Sequence, residues 1–401
     1  MAGSDETRHS IATIIRIVGE IVGTILTELV VNEQNIDLRT ATAEQPLKIV
    51  ATQSGAVQTF TLDRPNALNA LDDEMCRTLA SAIPRVARNP DVYIVALLSN
   101  HPRAFCAGGD VRALSAAAKR DIETAKTYLR TEYSLNWLLE CFSKPTVSFI
   151  NGLCMGSGVG LTAYNTHRIA GEGFKWAMPE TKIGLFPDVG VSRVLAKMPW
   201  PIGIYLGLTG RTIGRADAQW LGLVTHCISS SHFSGILDKL KDAEPVDPML
   251  DGLHEPQQPS DLQKDKGHIL EHFSEPTLEG ILRSLTNAEA KGSEWARKTL
   301  AELGKCSPIS LEITIRHIQS ALSFDIRQTL IEDYRLAVRC LEGHDFHEGV
   351  RALLIDKDGN PSWKPKRYDA SIASAVDEYF APLPDGELEL PTRSEMQAAR
   401  V

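Results

Sequence analysis

The segment PTVSFINGLCMGSGVGLT, residues 145–162, decides how the rest of the chain is read. Its first half is short, apolar and rich in β-branched side chains, which suits a strand buried on both faces. Glycines then crowd residues 156–160, and apolar residues continue from Val159 in a pattern that predicts a helix. Strand, glycine turn and helix, in that order, are the grammar of an α/β fold with binding sites at its strand ends. The same grammar appears upstream. DVYIVALLSN (91–100) reads as a buried strand and runs into the glycine-rich AFCAGGDV (104–111). A long helical stretch at 119–142 separates the two units.

Working outward, LKIVATQSGAVQTFTLDRP (47–65) holds two β-rich stretches around the turn residues Ser54 and Gly55. A helix follows at 72–88, with Asp72 and Asp73 placed to cap it. Beyond Ile228 the pattern changes. EPVDPMLDGLHEPQQPSD (244–261) is rich in proline and acid and reads as a linker or surface excursion. Residues 262–351 are mainly helical, 356–369 form a loop, and the last dozen residues are expected to be loosely held. The expected division is an N-terminal extension (1–46), a core (47–235), a linker or excursion (236–265) and a helical C-terminal region (266–401).

Composition narrows the class. The 401 residues are 43% hydrophobic and 23% charged, an ordinary globular balance, and the net charge of −9 argues against a general nucleic-acid binder. Seven cysteines without a CxxC pair read as reduced thiols of an intracellular protein. No apolar run reaches the roughly 18 residues of a membrane span, so no membrane partner is expected. Residues 10–31 come closest, but Arg16, Glu20 and Glu28 interrupt them, and their apolar positions form one helical stripe. That stripe reads as an amphipathic helix packed on its own domain or on a partner, a further copy of the chain included. As a targeting presequence it is too acidic, with seven acids and three arginines in residues 1–45. His344 and His347 stand three apart without further ligand residues, so no metal site is expected.

Three segments carry the chemistry: AFCAGGDV, NGLCMGSGVG (151–160) and MPETKIGLFPDVG (178–190). A dinucleotide reading starts from Gly156, Gly158 and the downstream Glu180. It fails because the third glycine of GxGxxG falls at Leu161, and no Walker motif is present. An oxyanion site fits better. Two strand-to-helix turns with small residues let backbone N–H groups from both loops reach one carbonyl oxygen, and a thioester is a natural guest. Taken alone, Glu180 after Pro179 is a helix-start acid, Asp188 after Pro187 a turn former, and Glu132 a solvated helix acid. The joint pattern with the glycine turns lifts Glu180 and Asp188 to active-site groups and leaves Glu132 open between the two readings.

LDRPNALNAL (62–71), the three segments above and LTGRTIGRADAQWLGLVTH (208–226) resemble the crotonase superfamily in content and order. RTEYSLN (130–136), GLFPDVG (184–190) and HDFHEGVRALLIDKDGNPSWKP (344–365) are similar to its 3-hydroxyisobutyryl-CoA hydrolase branch. The likeness covers residues 48–366. It implies an α/β fold, the crotonase (ClpP-like) spiral of ββα units with a helical C-terminal region. It also implies oxyanion-hole amides at Gly109 and Ser157, where the family usually has glycine at the second position. Glu180 then matches the catalytic carboxylate, Asp188 adds a second where hydratases carry glycine, and Glu132 matches an acidic substrate contact. The second glutamate of enoyl-CoA hydratases is replaced by Gly160, which argues against hydration. The implied reaction is hydrolysis of 3-hydroxyisobutyryl-CoA or a similar short β-hydroxyacyl-CoA in valine breakdown, in the mitochondrial matrix with peroxisome or cytosol as the alternatives, with CoA as part of the substrate and neither metal nor redox cofactor. The resemblance leaves two other readings: another crotonase activity such as an isomerase or hydratase, and a structural paralogue associated with the mitochondrial ribosome.

Overall fold

Six residues on either side of the Gly55 turn make the antiparallel hairpin β1 (Ile49–Ser54) and β2 (Val57–Leu62). From β2 onward the pairing is parallel. β3 (Ile94–Ser99), β5 (Thr146–Ile150), β7 (His167–Ala170) and β10 (His226–Cys227) follow in that order and complete a six-stranded sheet. All of β5 is buried, as its short apolar run requires. β4 (Ala104–Cys106), β6 (Leu153–Met155), β8 (Lys175–Ala177) and β9 (Ile213–Gly214) form a second, four-stranded sheet. Three times, a strand of the first sheet leads directly into one of the second: β3 to β4, β5 to β6, β7 to β8. The chain therefore winds as the expected spiral of ββα units. These statements rest on a computed structural model, which describes residues 47–199 and 201–401. The stripe at residues 10–31 lies outside the described residues.

Helices α1 (Asp73–Arg88), α2 (Val111–Arg120), α3 (Ile122–Cys141) and α4 (Ser157–Thr162) connect the strands. The Asp72 carboxylate accepts the Met75 N–H at 3.0 Å and so caps α1. The helical stretch expected at 119–142 is α3, and α2 before it is a separate helix. Asp121, extended at φ −159°, ends α2, and its side chain accepts the Glu123 N–H to start α3.

The C-terminal region is helical and joins the same core. Its helices α5 (Pro308–Ser320), α6 (Ile326–Glu342) and α7 (His344–Val350) matter here because α6 packs on α3. One buried apolar cluster runs from Phe60 and Leu97 through Tyr133 to Ile318 and Leu336. A smaller cluster backs the six-stranded sheet, where Val57, Val147 and Ile169 meet Ile236, Leu240 and Leu250. The proline-rich segment therefore contributes to packing: its short helix Val246–Asp251 places Leu250 in that cluster.

The last dozen residues correct the sequence reading. Leu390, Met396 and Val401 are buried, a capping box at Thr392 starts the helix Arg393–Ala398, and Trp137 donates its indole N–H to Pro391 O at 2.8 Å. Three apolar side chains spaced along twelve residues suffice to dock the terminus. Both ring nitrogens of His347 are engaged, with Ser115 Oγ and Leu341 O each at 2.8 Å, so that histidine serves packing.

Candidate active site

The first glycine turn leaves β4 at Cys106 and reaches α2 through Gly108, at φ +116°, and Gly109. An isolated parallel bridge ties it to Leu71: the Leu71 N–H donates to Gly108 O at 2.9 Å, and the Asp110 N–H to Leu71 O at 2.6 Å. The Gly109 N–H is left out of that ladder. Tyr128 on α3 secures the same point by donating its hydroxyl to Leu71 O at 3.0 Å.

The second turn leaves β6 at Met155 and enters α4 at Ser157, through Gly156 at φ +48°. First-turn N–H groups of a helix have no acceptor within it, and the Ser157 amide is one of them. A Cβ on Gly156 would stand 2.8 Å from Glu180 Oε1 and 3.4 Å from Gly108 Cα. Glycine is needed there both for its φ and for that close approach. A Cβ on Gly109 would meet Ser157 Oγ at 2.9 Å, so the two amides belong to one wall. The Ser157 hydroxyl beside Glu132 pulls that carboxyl's pKa down, against burial.

That wall faces a cavity of about 490 Å³ whose lining includes Gly109, Ser157, Glu132, Glu180 and Asp188. All five residues singled out from the sequence are thus brought together. Glu132, Glu180 and Asp188 are all buried, so Glu132 is no solvated helix acid. Glu180 opens a 3-10 turn, Glu180–Ile183, directly after β8. Asp188 lies on the following loop, where Tyr133 donates its hydroxyl to Asp188 Oδ2 at 2.8 Å.

Three carboxyl groups in one buried space shift one another. Burial pushes the Glu180 pKa well up, and the neighbouring Asp188 and Glu132 add to it. Asp188 is raised in the same sense, first by burial and then by Glu132 and Asp333, with the Tyr133 hydrogen bond opposing. Burial lifts Glu132 to about 7 against the pull of Ser157. Among the described residues, Glu132 Oε1 and Glu180 Oε2 are buried without a hydrogen-bond donor. Such oxygens are costly unless a ligand supplies donors.

Position 160 is closed. A Cβ there would lie 2.8 Å from both Asn136 Nδ2 and Val189 Cβ, so a side chain at that point needs both neighbours to shift.

Several residues of the site escaped the sequence reading, two of them behind the cavity lining. Tyr133 and Asn136 were inside RTEYSLN, one and four positions after Glu132, and helical spacing alone places Asn136 on the Glu132 face. Ala337 and Leu341 of α6, with Leu353 and Leu354 of the 344–365 motif, form an apolar wall that the sequence reading did not place at the site. Arg112, Lys182 and Lys357 also line the cavity, a local cationic group on a chain of net charge −9.

Known proteins resemble the chain over most of its length. A family model described as enoyl-CoA hydratase/isomerase matches residues 57–380. The 3-hydroxyisobutyryl-CoA hydrolase, mitochondrial, of Xenopus tropicalis is 37% identical over 352 residues, covering 84% of this chain and 90% of the relative. The protein of the same name from Homo sapiens is 34% identical over 376 residues, covering 90% and 95%. Among solved structures, a carnitinyl-CoA dehydratase from Mycobacterium thermoresistibile superposes with TM-score 0.79 at 31% identity, covering 86% of this chain and 99% of its own. An enoyl-CoA hydratase from Rhodobacter sphaeroides gives 0.78 at 32% identity, covering 86% and 100%.

Proposed function

The chain belongs to the enoyl-CoA hydratase/isomerase family, and we propose that within it the chain is a thioester hydrolase acting on 3-hydroxyisobutyryl-CoA or a similar short β-hydroxyacyl-CoA. The observation that carries this reading over hydration is the closure of position 160. Hydration needs a second carboxylate to position its water, and in the resembled hydratases that carboxylate stands at this point. Asn136 and Val189 occupy the space here, and the added carboxylate is instead Asp188, on another loop. The curated relatives bear the hydrolase name, and like them the chain acts in the mitochondrion, in the valine breakdown that fits this substrate.

In the proposed reaction the thioester carbonyl oxygen lies against the Gly109 and Ser157 amides. These fixed donors take up the negative charge as the carbonyl becomes tetrahedral, an effect worth about 3–4 kcal/mol per donor in comparable sites. Ionised Glu180 provides the attacking oxygen, either its own, giving a mixed anhydride, or that of a water it deprotonates. Asp188, held by Tyr133, orients the water and takes up or returns its proton. CoA leaves as the thiol, and the acid is released. CoA is part of the substrate, so the reaction needs no further cofactor. Arg112, Lys182 and Lys357 are suited to its phosphates, and the apolar wall of α6 to its uncharged arm.

Glu132 selects the acyl group. Its buried Oε1 accepts the β-hydroxyl, and a substrate lacking that hydroxyl leaves the oxygen desolvated and unpaired, at about 1–3 kcal/mol. Glu132→Ala therefore narrows the kcat/KM gap between 3-hydroxyisobutyryl-CoA and isobutyryl-CoA roughly tenfold, mainly by slowing the former. Both esters assayed on wild type and variant test this directly, and an unchanged ratio removes Glu132 from recognition.

The pH profile follows from the shifted carboxyls. The working form of Glu180 is ionised, and its pKa is raised, so activity is lost as pH falls through the raised value. The three groups titrate together. The acidic limb of kcat/KM is therefore expected well above the ordinary glutamate value of about 4.3. A profile flat from pH 5 upward contradicts this.

A further inference from the structure

Asp188 sits on the turn Pro187–Gly190, whose conformation is an unfavourable one. Val189 is fully buried and takes φ +51°, and Gly190 follows at φ +75°. A β-branched residue in the left-handed region is strained and persists only where its surroundings hold it. Here the surroundings can be named. The Gly190 N–H donates to Asp333 Oδ2 of α6 at 2.6 Å. Val189 O accepts the Tyr164 hydroxyl at 2.5 Å, from just beyond α4. Gly190 cannot carry a side chain, because a Cβ would meet that hydroxyl oxygen at 2.1 Å.

Asp333 is itself fixed from behind. Its other oxygen, Oδ1, is 2.6 Å from His317 Nε2 on α5, and His317 Nδ1 is 2.9 Å from Glu332 Oε2. Both ring nitrogens face carboxylates, which only accept, so both carry protons and the ring is an imidazolium. Burial alone would lower the His317 pKa, but the hydrogen bonds to Asp333 and Glu332 outweigh it and hold it at about 9. His317 and Asp333 are fully buried and Glu332 nearly so, and none of the three lines the cavity. A buried charge cluster of this kind is a poor source of stability, since apolar residues of similar volume usually do as well. Its placement one hydrogen bond behind the Asp188 turn supplies a different reason for it.

We infer that Asp333, held in place by the His317 imidazolium, and Tyr164 are positioning residues that keep the strained Val189–Gly190 turn in the form that presents Asp188 to the acyl group. The inference rests on the hydrolase reading, because it acts through Asp188. With either pin removed, the turn relaxes toward an ordinary backbone conformation and the carboxylate shifts. A displacement near 1 Å at a reacting group can cost about 100-fold in rate.

The test is a double-mutant cycle on the full-length protein with 3-hydroxyisobutyryl-CoA. Asp333→Asn and Tyr164→Phe are each expected to lower kcat about 10- to 100-fold while KM stays within about twofold. Added to Asp188→Asn, each is expected to change kcat by less than about twofold, since the group they position is already disabled. A merely structural role predicts the same loss in both backgrounds, and that additive result, or an effect on KM alone, overturns the inference while leaving the hydrolase reading intact. Should Asp188→Asn by itself keep the wild-type kcat, the role of Asp188 and the inference fall together. Asp333→Asn leaves a buried imidazolium short of one counter-charge, and the variant is liable not to fold. Tyr164→Phe removes one hydroxyl at a half-buried site and carries the same comparison alone.

Discussion

Replacing Glu180 with glutamine lowers kcat for 3-hydroxyisobutyryl-CoA by at least about 100-fold, while the dissociation constant of the CoA ester stays close to wild type. The amide is nearly isosteric and fits beside Gly156, where a Cβ would already stand 2.8 Å from Glu180 Oε1. What it lacks is the capacity to attack or to accept a proton. The same substitution should raise thermal stability, and the sign can be worked out. Burial and two neighbouring carboxyls raise the folded pKa of Glu180 above its unfolded value, so ionising it disfavours the folded state. The destabilisation is absent below the unfolded pKa and grows as pH rises through the folded one. Glu180→Gln therefore melts higher than wild type at neutral or mildly alkaline pH, and the difference shrinks near pH 4. Loss of activity together with loss of stability at pH 7.5 would point to a packing defect and not to the missing carboxylate.

Asp188→Asn is the second large effect. The Tyr133 hydroxyl can still donate to the amide oxygen, so the side chain keeps its place, but the group no longer accepts a proton from water. If Asp188 manages the water, kcat falls about 100-fold and KM changes little, the mark of an interaction made chiefly in the transition state. A rise in KM at unchanged kcat makes Asp188 a binding residue. Tyr133→Phe should give the same signature in weaker form, because it frees the carboxylate without neutralising it.

How far the sequence carried the reading depended on whether the signal was local. Strand, glycine turn and helix were legible at residues 145–162 because burial, backbone freedom and helix start are all encoded within a few residues. Glu180 and Asp188 were found through their neighbours, since each follows a proline and alone is an ordinary turn acid. Tyr133 shows what adjacency on a helix hides: one position after Glu132 it points elsewhere on α3, yet the Asp188 loop folds back to meet it. The wall made by Ala337 and Leu341 of α6 and by Leu353 and Leu354, just beyond α7, lies roughly 160–170 residues past Glu180, and only tertiary packing brings it to the cavity. His317, Glu332 and Asp333 were the least legible. Nothing in the helical sequence around them singles them out, and their burial appears only once α5 and α6 close on the Asp188 turn. The docked C-terminus was missed for a related reason, as its anchor Trp137 lies 254 residues from Pro391.

The central claim is that this cavity breaks a thioester and does not add water to a double bond. The most direct measurement follows free thiol and acyl products together when the purified protein meets 3-hydroxyisobutyryl-CoA, isobutyryl-CoA and a short enoyl-CoA. The expected result is stoichiometric release of CoA thiol and 3-hydroxyisobutyrate from the first, much slower release from the second, and no hydroxyacyl-CoA formed from the third. Conversion of the enoyl-CoA to a hydroxyacyl-CoA without thiol release, or no turnover of any of the three esters, would contradict the account.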